Sequence, residues 1–90
     1  METLVLMNME DAFGNNLQLF KSEFEGEITY VISSDFVDVS KVGGGCYWCH
    51  EFENLKDATF AIHQIAEHSE KNNGKFDADW LVKTFGMATC

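Results

Sequence analysis

Cysteine and histidine side chains are concentrated in the middle of the chain, where they follow a run of three glycines. Two residues separate Cys46 from Cys49, thirteen separate Cys49 from His63, and four separate His63 from His68. Thiolate and imidazole groups are the ligands that zinc takes in tetrahedral structural sites. The spacing therefore supports one hypothesis, a structural zinc ion bound by these four side chains.

The spacing resembles that of C2H2 zinc fingers over about a quarter of the chain. The resemblance implies zinc as a structural cofactor and a small protein-interaction domain. Two features differ from the family pattern. Side chains five positions apart diverge by roughly 140° on a regular helix, so His63 and His68 do not converge there. Phe52 and Leu55 do not reproduce the family's apolar spacing, and zinc is therefore the alternative to our main hypothesis.

Three other chemical patterns occur in the same stretch. Residues 46–50 match the attachment motif of c-type haem, with Met87 as a distant candidate ligand. Cys46 and Cys49 also have the spacing of a thiol exchange pair, and Cys49 with His63 could form a nucleophile and its base. A thiol-dependent redox protein is the third functional hypothesis. The sequence contains no nucleophile-elbow, phosphate-loop or dinucleotide motif, so we predict no catalytic residues.

Alternation along an extended strand argues against paired thiols. Successive strand side chains point to opposite faces, so Cys46 and Trp48 share one face and Cys49 lies on the other. Three cysteines in a chain without a recognisable export signal predict reduced thiols rather than a disulfide framework. On this interpretation the cysteines are small apolar strand residues.

Turn signals and periodicity predict strands in the first half of the chain and helices in the second. The predicted strands cover residues 3–8, 17–24, 27–33 and 46–52. Glu25-Gly26 is a predicted turn between two of them. Residues 34–42 fit either a strand or a helical turn.

Two predicted helices complete the fold. Asn54 is the expected N-cap of a long amphipathic helix that ends near Gly74. Asp77 or Asp79 begins a shorter helix that Gly86 ends. We predict one α+β domain over residues 1–90, in which a small antiparallel sheet of three to five strands carries both helices on one face.

The charge balance is the most unusual global property. Six lysines and no arginines accompany 15 acidic residues, which gives a formal net charge of -9. Binding to nucleic-acid phosphates depends on lysine and arginine, so direct nucleic-acid binding is not expected. The apolar segments are too short to span a bilayer and the first residues lack a cationic start, which predicts a cytoplasmic protein without a membrane segment.

The acidic residues in the middle of the chain are the predicted partner-binding residues. They are Glu23, Glu25, Glu27, Asp35, Asp38, Glu51, Glu53 and Asp57. The first three are spaced by two, so a fully extended chain would place them along one face about 7 Å apart. Such runs are usually a solvated surface, and the functional interpretation is a surface that attracts a basic groove on another protein.

In style, the sequence resembles the small acidic single-domain proteins that phages use to inhibit host defence or transcription machinery, although no motif carries the resemblance. It implies a non-enzymatic inhibitor in the host cytoplasm that occupies a basic site, such as a nucleic-acid-binding site, on a partner protein. Some proteins of this kind mimic nucleic acid. A homodimer formed through the odd cysteine or an exposed sheet edge is a further hypothesis.

Overall fold

A computed structural model describes residues 2–35 and 47–86, and for Asp35 and Tyr47 it describes the backbone alone. The elements are β1 (Glu2–Glu10), β2 (Asn16–Phe24), β3 (Glu27–Asp35), β4 (Tyr47–Phe52), α1 (Leu55–Lys71) and α2 (Ala78–Phe85). The predicted α+β class is confirmed. Ser34 and Asp35 continue β3. The rest of the ambiguous 34–42 segment, the glycine run, Cys46 and Met87 lie outside the described residues.

The four strands form an antiparallel sheet in the order β1-β2-β3-β4. A two-residue turn joins β2 to β3, and its residues Glu25 and Gly26 have φ values of 53° and 80°. Positive φ at both positions is the requirement of a type I′ turn, whose twist matches that of the strands it connects. The predicted turn is confirmed, and it pairs Phe24 with Glu27.

Both helices contribute to a core on one face of the sheet. The long helix packs against β3 and β4. Its buried residues are Ala58, Ala61, Ile62 and Ile65, as the periodicity predicts. On the sheet, Leu17, Ile32 and Trp48 are completely buried. The Trp48 Nε1–H also donates to the Gly86 carbonyl oxygen at 2.9 Å, which joins β4 to the end of α2.

The helix starts follow the capping chemistry of the sequence. The Asn54 side chain accepts from the Asp57 amide, and the Asp77 side chain accepts from the Trp80 amide. Each cap satisfies a backbone donor that has no partner within the helix. Among the described residues, no helix combines the length and hydrophobicity that crossing a bilayer requires.

The Asp11 carboxylate joins the β1–β2 turn to the segment before α2. It accepts hydrogen bonds from the amides of Phe13, Asn15 and Phe76 and from the Asn15 side chain. Burial acts to raise the pKa of Asp11, but the hydrogen bonds from the Asn15 side chain and the three amides outweigh it, and the pKa is lowered. The ionised form of Asp11 therefore stabilises the fold.

Asp11→Asn tests this interpretation. The substitution replaces one acceptor oxygen with a donor group, so we expect the free energy of unfolding in urea to fall by about 1–3 kcal/mol at neutral pH. Because the folded-state pKa is lowered, ionised Asp11 contributes its stability above the unfolded-state pKa of about 4. That contribution is lost as the pH falls through the folded-state pKa, so the two proteins should converge in stability below about pH 4.

Glu10→Gln is the matched control, because it removes the same charge from the exposed neighbouring residue. We expect it to change the free energy of unfolding by less than about 0.5 kcal/mol. Equal losses in the two variants would show that net charge, rather than the hydrogen bonds, explains the effect.

Candidate functional site

The strand order collects carboxylates at one end of the sheet. In this antiparallel arrangement, the starts of β1 and β3 lie at the same end as the finishes of β2 and β4. Six acidic residues belong to this end, which we call the acidic end: Glu2, Glu23, Glu25, Glu27, Glu53 and Asp57. They come from three separate stretches of sequence, so the surface depends on the fold.

Glu23, Glu25 and Glu27 do not form the predicted row on one face. Glu25 occupies the turn, Glu23 pairs with Ile28, and Glu27 pairs with Phe24. Consecutive strand residues point to opposite faces, so Glu23 lies on the face that carries the helices and Glu27 on the other. The expectation of a row is wrong because the tight turn reverses the chain between the second and third carboxylates.

Glu2 is a member of the acidic end that sequence reasoning missed. It pairs directly with Glu23 across β1 and β2, and Leu4 pairs with Lys21 beside them. These four residues and Thr3 line a cleft of about 490 Å³. Like charges that face each other across strands repel. A correct prediction of which residues pair between β1 and β2 would have placed Glu2 opposite Glu23 and so added Glu2 to the acidic end.

The second predicted group lies around the start of α1. Glu51 pairs with Val31 near the end of β4, and Glu53 is exposed just beyond that strand. Asp57 accepts a hydrogen bond from the Asn54 side-chain amide at 3.1 Å. In the first turn of α1, this carboxylate also interacts favourably with the helix dipole.

The two remaining predicted acidic residues do not extend this surface. Asp35 pairs with Asn16 and Tyr47, at the opposite end of β3 from Glu27. It therefore does not belong to the acidic end, although it is one of the predicted partner-binding residues. Asp38 lies outside the described residues.

Exposed apolar side chains lie beside the carboxylates. The four consecutive residues Leu4, Val5, Leu6 and Met7 of β1 have exposed fractions of 60%, 53%, 42% and 36%. At the tip of the β2–β3 hairpin, Phe24 and Ile28 are also exposed. Leu4 and Met7 lie on the face that carries the helices and Val5 lies on the other, so apolar side chains border both faces of the strand. Exposed apolar side chains surrounded by polar groups are a common feature of interaction sites.

Cys49 is disulfide-bonded, which makes the prediction of free thiols wrong at this position. The chain's other cysteines, Cys46 and Cys90, lie outside the described residues. A cysteine in a disulfide cannot supply the thiolate that zinc binds. Disulfides are more common in proteins of oxidising compartments than in cytoplasmic proteins.

The histidines of the zinc hypothesis belong to a different layer from Cys49. Cys49 alternates with Trp48 and His50 and so points away from the face that carries the helices, whereas His63 and His68 are residues of α1. His63 is exposed. Among the described residues, no group of three or more histidine, cysteine or acidic side chains is arranged to bind a metal.

His68 makes contacts that explain its position without a metal. Its ring stacks on Trp80 with centroids 4.2 Å apart, and its Nε2 lies 3.3 Å from Asp77 Oδ2. His50 instead packs between Trp48 and Phe52, with ring centroids 5.9 and 5.0 Å away. The three imidazoles therefore occupy separate structural environments.

No protein-family model matches the chain, and no curated protein or solved structure shows significant similarity to it. The functional inference therefore depends on the residues and geometry described above.

The disulfide predicts a specific thiol count. A disulfide uses two of the three cysteines, so unfolded, unreduced protein is expected to react with one equivalent of Ellman's reagent. After reduction and removal of the reductant, the unfolded protein should react with three equivalents. Three equivalents before reduction would contradict the disulfide and restore the original expectation of free thiols.

Proposed function

We propose that this protein is a non-enzymatic binding protein whose acidic end occupies a basic site on a partner protein. The observation that supports the proposal most is the convergence of carboxylates from β1, the β2–β3 hairpin and the start of α1 at one end of the sheet. Lys21 and Lys56 are the lysines in those stretches. The local charge is therefore strongly negative.

The negative electric field of the acidic end would act on a basic partner before contact as well as in the complex. Carboxylates concentrated on one side of a small protein raise the rate at which a basic partner arrives. Surface charge pairs contribute little affinity individually, and salt screens them. The exposed apolar residues Leu4, Phe24 and Ile28 supply the area that a stable complex would bury.

The arrangement of the carboxylates fits a partner with a compact basic groove better than a partner with a long channel that binds nucleic-acid phosphates. A mimic of a nucleic-acid backbone needs charges in a regular row, and the turn at Glu25 and Gly26 breaks the row that the sequence suggested. The carboxylates are instead arranged around a projecting hairpin and the strand beside it. A nucleic-acid-binding enzyme with a basic pocket, including a target of a phage inhibitor, fits this shape.

Charge neutralisation at the acidic end tests the proposal. Glu23→Gln, Glu25→Gln and Glu27→Gln in one protein should strongly reduce capture of partner proteins from the lysate of the source or host cell, because they remove three charges from the proposed contact. The control combines Glu67→Gln, Glu70→Gln and Asp79→Asn, which removes three exposed charges from the helices. We expect this control to retain most of the capture.

Two further measurements complete the experiment: the dependence of partner capture on salt, and the release of captured partner by duplex DNA. Capture by the unchanged protein should weaken steeply between low and high salt, and duplex DNA should release any partner whose nucleic-acid site is occupied. Capture that is indifferent to salt, or equal losses in the two triple variants, would contradict an electrostatic contact at the acidic end.

A further inference from the structure

The strand β1 is an open edge of the sheet. Its nine residues pair with β2, and within the described residues no strand pairs with its other side. Eight of the nine residues are exposed, and Met9 is half-buried. Such an edge presents unpaired backbone N–H and C=O groups to any extended chain that approaches it.

Little in the sequence of β1 protects this edge. Natural edge strands are commonly blocked by charged side chains, especially lysine, by proline or by β-bulges. The segment Glu2–Glu10 contains no lysine and no proline, and its one irregularity is the shift of register between Val5 and Met7. Four exposed apolar residues occupy the centre of the strand, where pairing would bury them.

The charges near the edge distinguish two candidate occupants, a second copy of this chain and a basic segment of another protein. Glu2 and Glu10 stand at the two ends of β1, and Glu23 lies beside Glu2 on the neighbouring strand. A second copy that paired antiparallel about Leu6 would place Glu2 opposite Glu10 twice, between chains that each carry a net charge of -9. Like charges in directly opposed positions are destabilising. A partner segment with a positive residue at each end would instead place opposite charges beside Glu2 and Glu10, which is favourable.

We infer that the β1 edge binds an extended segment of a partner protein, which adds to the sheet as a fifth strand. The segment has an apolar centre that packs against the exposed side chains of residues 4–7, and lysine or arginine near each end, opposite Glu2 and Glu10. This inference rests on the proposed function, since it takes the partner to be basic, and it adds the mode of binding. Backbone hydrogen bonds would provide attachment, and side chains on alternate faces would provide specificity.

A synthetic peptide probes this mode directly. The probe has the length of β1, nine residues, with lysine at both ends, threonine, valine and isoleucine between them, and capped termini. Binding is followed by fluorescence anisotropy, and the contact is located by amide chemical shifts in the ¹⁵N-labelled protein. We expect the largest shifts in β1 and in the β2 residues that pair with it.

Alternate N-methylation separates strand addition from charge attraction. The N–H groups of an extended peptide point alternately to its two edges, so two versions methylated at every second residue each lose the donors of one edge. One version should bind like the parent peptide and the other more than about tenfold more weakly, although their charges are identical. Equal affinity of the three peptides would overturn strand addition, and so would failure of the parent peptide to bind.

Protein variants provide a second, independent readout. Leu4→Lys with Leu6→Lys places two positive charges on the edge and should weaken peptide binding more than about tenfold. Phe60→Lys with Thr84→Lys makes the same charge change at exposed positions of the two helices and should leave binding within about twofold. Equal weakening by the two pairs would contradict a contact at β1.

The outcomes distinguish this inference from the function on which it rests. If the glutamine variants lose partner capture but the methylated peptides bind alike, the acidic end binds a partner by another mode and strand addition is wrong. If sedimentation shows a dimer that Leu4→Lys with Leu6→Lys dissociates, the occupant is a second copy, which also overturns the inference.

Discussion

The structure depends on the burial of one face of a small sheet against the two helices, of which the long helix α1 makes the most contacts with the sheet. That helix packs against β3 and β4, where Ile32 and Trp48 are completely buried. A helix about 10 Å wide cannot cover four strands that are spaced nearly 5 Å apart. The side chains of β1, the strand farthest from that helix, are therefore left largely exposed, and β1 is also a terminal strand of the open sheet.

Because β1 buries so little, polar interactions just beyond one end of the strand add to its backbone pairing with β2. The Asp11 carboxylate binds the Phe76 amide, and the Ala12 amide donates to the Gly74 carbonyl oxygen at 3.0 Å. Gly74 has a φ of 77°, and a Cβ there would lie 3.4 Å from that of Ala12. The left-handed backbone favours glycine, whereas a Cβ at that distance would make an ordinary van der Waals contact. These contacts hold the β1–β2 turn against the loop between the helices, while the other end of β1, at Glu2, remains at the surface.

Local signals in the sequence were sufficient to predict most of the fold. The Asn54 and Asp77 caps, the Glu25-Gly26 turn and the apolar stripe of α1 all depend on chemistry within a few residues, and each is observed. The four-way role of Asp11 was not predicted, because its Phe76 partner is 65 residues away. Pairing between distant segments leaves no local pattern that a single sequence reveals.

The candidate site was likewise predicted where it depends on local sequence and missed where it depends on pairing between distant segments. The acidic residues were identified from composition, but their arrangement was predicted incorrectly, since the hairpin places Glu23 and Glu27 on opposite faces. The contribution of Glu2 depends on the register of β1, as does the alignment of the exposed apolar residues. The disulfide of Cys49 was also missed, because strand alternation considers one segment at a time.

The acidic end and the open β1 edge are most simply understood together, because the same carboxylates affect what can pair with the edge. An apolar edge without lysine or proline would ordinarily promote pairing between identical chains. Glu2 and Glu10 oppose that pairing in its most symmetrical register, and the net charge of -9 opposes the approach of a second copy from any direction. The same charges attract a basic chain. An excess of carboxylates can thus keep a reactive strand edge unpaired in isolation and still direct it towards a partner of opposite charge.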